Sequence, residues 1–349
     1  MADEHEFGNR ITANIEGADD AQSLIEKALT YVKDKHGFVP VDESTLFQGV
    51  YYDSRKVGSF ITRVKNMEGE TAVLKLQLRP LPFDEGFIIR NVEKSLRTDR
   101  IRPVRILHDR VWEEDWGFGY LLFEDISRVP ALWATVPTTK DDRELHAQFL
   151  EAFIESALPI QNAWIPKPSV SIKEKIFEGF DHFYEIAKKS SHKHIDEDEL
   201  RPFIDTYLST MRQDDSDIEM RFTHGHLSGL DVKHDVRNGQ FIVMANLYWS
   251  WRPKYYEMVF PIWVDVMHIR DAFLSFEDFL NRVDAWTDIW PKRVTAEKVF
   301  WLMLLERAMM TIMLDLGASE WKEGEVDEKQ ALLDRWKDFF HWLVKEKLN

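Results

Sequence analysis

Between residues 19 and 36 apolar positions recur every three or four residues. Leu24, Ile25, Ala28, Leu29 and Val32 share one face, and Gly37 stands where such a helix would stop. The period then changes to two. Segments 45–51, 59–65 and 71–77 alternate apolar and polar residues and are separated by turn-forming stretches, which predicts an antiparallel meander. A helix is expected over 84–97, and a further strand pair over 104–111 and 119–123. After Pro137 the helical period dominates, predicting helices over 141–158, 172–188, 196–212, 259–274, 276–290, 295–316 and 327–347. Ser171 and Glu174 form a capping box for the second of these.

One β excursion interrupts the helices. The run T-H-G-H-L-S-G-L-D-V-K-H-D-V-R-N-G-Q-F-I-V-M-A-N, residues 223–246, reads as a polar loop, a short strand, a turn at Asn238-Gly239 and an apolar strand over 240–245. Asn-Gly favours a type I′ hairpin turn, which needs positive φ at both central residues. This arrangement brings His226, Asp231 and Asn246 towards one point. The pattern is that of an α+β chain with a small β-rich N-terminal lobe, residues 1–126, and a larger, mostly helical C-terminal lobe, residues 127–349, which holds the loop and hairpin.

Composition narrows the possibilities. With 349 residues, 44% hydrophobic and 13% aromatic, the chain can bury a large core. Its formal net charge of −16 argues against a nucleic-acid partner, since phosphate contacts need clustered Lys and Arg. The absence of cysteine removes disulfide and thiolate chemistry and makes the cytoplasm the default compartment. The acidic start M-A-D-E-H-E-F is the opposite of a signal peptide. The longest strongly apolar run, 299–305, is far too short to span a membrane. His182, His192 and His194 lie in or beside a Lys/Ser-rich linker and are read as solvated rather than metal-binding.

The loop and hairpin resemble the catalytic core of the aminoglycoside phosphotransferase and choline kinase families, relatives of the protein kinases. There an H-G-D-x-x-x-x-N loop precedes a hairpin that ends on a metal-binding Asp. His224 and Gly225 match the first two positions. His226 stands at the catalytic Asp, Asp231 at the metal-binding Asn, and Asn246 at the Asp after the hairpin. The resemblance implies a bilobal protein-kinase-like fold, with ATP and Mg2+ as cofactors and a small molecule as substrate or ligand. It makes Lys75, in A-V-L-K on the third strand, the phosphate-binding lysine. Glu93 on the following helix is then its expected partner, with Glu85 second. Glu124, Asp125 and Ile126 fall at the nucleotide-contacting hinge.

Asp231 and Asn246 would hold the metal with the usual order of amide and carboxylate reversed, and His226 would replace the carboxylate that orients the acceptor hydroxyl. Two readings follow. The first is a catalytically impaired pseudoenzyme that binds a nucleotide or small molecule. The second is an active ATP-dependent phosphotransferase acting, with rearranged catalytic groups, on a hydroxyl of a small metabolite, cationic ones included. Asp235 and Asp265 are alternative carboxylates without support from spacing. Trp249, Trp251 and Tyr255 suit either a cation–π site or plain packing, of which packing is expected. The apolar face Leu332, Leu333, Trp336, Phe339, Phe340 and Leu343 is read as core or interface.

Overall fold

The computed structural model describes residues 18–50, 57–78, 85–95, 99–133, 139–157, 171–213, 219–229, 231–244, 250–267 and 274–349. Two compact units share the chain. One comprises Met1–Pro130 with Asp235–Leu247, the other Ala131–His234 with Tyr248–Asn349.

The first unit is built on a five-stranded antiparallel sheet of β1 (Val39–Val50), β2 (Val57–Lys65), β3 (Thr71–Gln77), β5 (Ile106–Glu113) and β6 (Phe118–Glu124), in the order β1-β2-β3-β6-β5. The alternation seen in the sequence fixes which helix covers which face. Ala72, Leu74 and Leu76 of β3 and Phe118, Tyr120 and Leu122 of β6 pack with Ile25, Ala28 and Val32 of helix α1 (Ala18–His36). Leu121 and Phe123 point to the opposite face, where they join Ile89 of helix α2 (Glu85–Ser95). Helix α1 ends at Gly37, in left-handed conformation with its N–H on the Lys33 carbonyl at 2.8 Å.

Strand β4 (Ile101–Pro103) pairs in parallel with β9 (Gln240–Val243), and Ile242 enters the core beneath α2. This pairing is why Asp235–Leu247 groups with the first unit, whereas the sequence division kept the entire hairpin with the second.

The second unit is helical: α3 (Lys140–Ala157), α4 (Ile172–Lys189), α5 (Glu197–Gln213), α6 (Tyr256–Met267), α7 (Phe276–Thr287), α8 (Lys298–Met310) and α9 (Val326–Trp342). Helix α8 is its axis. Val299–Leu305 is buried throughout, as a helix apolar on every side must be. Strands β7 (Met220–Thr223) and β10 (Ser250–Pro253) form a two-stranded antiparallel ribbon.

The capping box at Ser171 and Glu174 is formed in both directions, at 3.2 and 2.7 Å. Helix α8 passes into a wider π-helical turn at Thr311–Leu316. The apolar face of α9 is core, since Leu333, Trp336, Phe339, Phe340 and Leu343 are all fully buried. No helix among the described residues is long and apolar enough to cross a membrane.

Candidate functional site

Lys75 sits in mid-strand, opposite Ile61 and Leu121 on its neighbours, with its side chain on the α2 face. There its ammonium donates to both carboxylate oxygens of Glu85, at 2.9 and 2.8 Å. Both residues are buried, Glu85 completely. Glu93, the partner expected from the sequence, is exposed further along α2. The first helical position favours Glu85 on two counts. It faces the strand, and its charge lies at the positive end of the helix dipole. Two of the lysine's three donors go to the carboxylate, which fixes the ammonium and leaves one N–H for a further acceptor.

At the end of β6, Glu124 is held by Arg102 and by the Arg105 N–H at 2.7 Å. Asp125 accepts from the Ser127 N–H at 2.9 Å and pairs with Arg63 at 3.4 Å. Burial works against its charge, but the Ser127 and Thr71 donors and Arg63 hold its carboxyl below the ordinary value. Ile126 is buried in the core. Both side-chain carboxylates therefore serve local structure, so any nucleotide contact here falls to the backbone.

The loop after β7 is closed upon itself. Gly225 takes positive φ, 78°. Three donors converge on one oxygen, Oδ2 of Asp231: the Ser228 hydroxyl at 2.6 Å, the Ser228 N–H at 3.0 Å and His226 Nδ1 at 3.2 Å. Burial pushes the Asp231 carboxyl up, but the hydrogen bond and charge of His226, the charge of His224 and the Ser228 donor outweigh it and hold it below its ordinary value. The structure thus brings His226 and Asp231 together, while Asn246 lies outside the described residues.

Three supports of this loop escaped the sequence reading. Glu257 at the start of α6 reaches back and accepts the Gly225 N–H at 2.7 Å. Its burial raises its carboxyl, only partly countered by Gly225 N–H and Arg252. Trp133 lies flat on Gly229, where an added Cβ would stand 2.0 Å from the indole. His146 packs against Trp133 at 4.9 Å between ring centres. The Ser228-Gly229 step after H-G-H is the only sequence hint of the tryptophan contact.

The hairpin differs from expectation. Strand β8 (Val232–Asp235) and β9 are joined by four residues, and the Asp235 carbonyl accepts from Asn238 N–H at 3.3 Å. Only Gly239 has positive φ, 66°. This is a turn closed by a left-handed glycine rather than a two-residue type I′ turn, because four connecting residues exceed what that turn spans.

These residues can be tested against a magnesium centre. Asp231 commits one of its two oxygens to its own loop. Asp235 is engaged with Arg237, and Asp265 is fully buried, accepting from Trp286 Nε1 at 2.7 Å. No group of three or more His, Asp or Glu side chains among the described residues has the arrangement of a metal site. Of the expected magnesium pair only Asp231 is among the described residues, and its partner Asn246 lies outside them. Trp251 packs edge-on against Phe222 at 5.9 Å, and Tyr255 bonds Glu297. Both make contacts within the chain, and Trp249 lies outside the described residues.

No family model matches this sequence, and no curated protein sequence matches it. Solved structures match its shape. A microcompartment-associated aminopropanol kinase aligns with a TM-score of 0.58 and 11% identity, covering 94% of this chain and 99% of that one. An amicoumacin kinase in complex with AMP-PNP and Ca2+ gives 0.56 and 11%, covering 95% and 97%. A spectinomycin phosphotransferase in complex with ADP and spectinomycin gives 0.51 and 11%, covering 90% and 94%. The chain therefore has the protein-kinase-like fold of the aminoglycoside phosphotransferases and related small-molecule kinases, over nearly its full length.

Proposed function

We propose that this chain is a kinase-fold protein that binds a nucleotide or another small molecule and has lost efficient phosphoryl transfer. The observation that carries this reading is the engagement of Asp231 Oδ2 by three donors of its own loop. Phosphoryl transfer asks a protein for a cation on the phosphates, a metal, and a group that orients the acceptor hydroxyl. The buried Lys75–Glu85 pair supports the first. For the second, the one carboxylate of the loop is turned inward. For the third, a histidine stands where the family has a carboxylate. Loss of general-base help costs on the order of 10²–10⁴ in rate, so transfer would be crippled rather than abolished.

A second reading has its own observation. A carboxylate on Nδ1, here at 3.2 Å, is how an imidazole is commonly oriented to act as a base. In that case Asp231 positions His226 and the protein is a working phosphotransferase with rearranged groups. Steady-state ATP turnover separates the two. Under the first reading the wild type turns over weakly, and the triple change His226→Asp, Asp231→Asn and Asn246→Asp raises magnesium-dependent turnover. Robust wild-type turnover that disappears in His226→Ala would overturn it and select the second.

A further inference from the structure

Beside the loop, the helical unit holds a mixed-charge cluster that reaches from ribbon residue Arg252 to helix α8. The His226 ring contacts Phe260 on α6 at 4.8 Å between centres, and Phe260 contacts Trp263 one turn on at 5.2 Å. Behind Trp263 lies Arg307 of α8, its guanidinium 4.7 Å from the indole centre. Arg307 donates to the Tyr256 hydroxyl at 3.1 Å, and Arg252 covers the Tyr256 ring at 4.3 Å. Trp263 Nε1 donates to Thr311 Oγ1 at 2.7 Å, and Asp315 stands 3.4 Å from the same hydroxyl. Glu306 and Asp315 act electrostatically on Arg307.

Three features set this cluster apart from an ordinary structural network. Among the described residues no carboxylate comes within ion-pair distance of Arg307, although two acids stand near it. Polar atoms are buried without partners: Arg307 Nε, one Glu306 oxygen and the hydroxyl of the fully buried Tyr207, which feels both charges. Finally, Thr311 and Asp315 lie on the π-helical turn, a rare geometry that recurs at ligand sites. Arg252, Trp263, Glu306, Arg307 and Asp315 are only part-buried, so the cluster is open to a ligand. A buried polar atom left unmade is costly, and an occupant carrying both charges would relieve both kinds at once.

We infer that this cluster binds a small zwitterion, its carboxylate on Arg307 and its ammonium on Glu306 and Asp315. The inference rests on the small-molecule side of the proposed function and is independent of nucleotide binding. Burial raises the carboxyls of both Glu306 and Asp315, a state that a neighbouring ammonium would reverse.

The test is calorimetric titration of the full chain, without nucleotide, using L-serine and L-homoserine. Ethanolamine, which lacks the carboxylate, and 3-hydroxypropionate, which lacks the ammonium, serve as matched controls. The amino acids are expected to bind and the controls to bind roughly tenfold to a hundredfold more weakly, the usual effect of losing one charge-assisted contact. Arg307→Met should erase the preference for L-serine over ethanolamine, and Glu306→Gln the preference over 3-hydroxypropionate. Equal binding of ethanolamine, or no binding of either amino acid at millimolar concentration, would overturn the assignment even if the variants fail to fold. Nucleotide binding is measured separately, so a failure of either proposal is seen on its own.

Discussion

Lys75 and Glu85 show how a charged pair is kept inside a sheet-and-helix core. Each ion alone would be expensive there, and the bidentate contact at 2.8 and 2.9 Å is what makes the pair tolerable. Lys75→Met or Glu85→Gln alone is expected to cost about 3–5 kcal/mol, and Lys75→Met with Glu85→Leu much less. Urea unfolding of the three variants checks this, and equal losses in all three would show that packing rather than charge is at stake. His146 is a second buried group with a measurable signature. Its ring is fully buried, both nitrogens lack a partner among the described residues, and burial lowers its pKa to about 3. The unfolded chain takes up this proton near pH 6.5, whereas the folded chain does not until about pH 3. Between those values the unfolded state binds more protons, so stability falls as pH drops, by about 1.4 kcal/mol per pH unit from this group. His146→Phe should flatten the fall between pH 7 and pH 5.

The hairpin and the strand of Lys75 illustrate what local pattern conveys. The sequence located β3 and β6 as strands, and both of their faces are buried because each meets a helix. The sequence placed Lys75 on the third strand and ranked Glu93 above Glu85 as its partner, whereas the structure pairs it with Glu85. That depends on the rotation of α2, which points Glu85 inward and Glu93 out to solvent. Asn238-Gly239 announced a turn, but its type followed from where the strands stopped, at Asp235 and Gln240. Glu257 and Trp133 were illegible for a different reason. Their contacts with Gly225 and Gly229 span 32 and 96 positions of chain, and no short-range pattern encodes them. At the hairpin, Gly239→Ala forces a side chain into positive φ and is expected to destabilise by about 1–2 kcal/mol. A loss under half that in thermal unfolding would mean that the turn relaxes to another type.

One compact unit carries the Lys75–Glu85 pair and the other the inward-turned loop. Lys75 is fixed by its bidentate contact with Glu85, as the proposed nucleotide role requires. The loop ties its single carboxylate, Asp231, to its own histidine and serine. Nucleotide binding should then survive where magnesium dependence does not. The decisive measurement is thermal unfolding of the wild-type chain with ATP or ADP, each with and without magnesium, since a ligand that binds only the folded state raises its stability by mass action. The expected result is a rise with nucleotide that is the same with or without magnesium and is lost in Lys75→Ala. A rise that requires magnesium would contradict it, because Asp231 would then be serving a metal–nucleotide site after all.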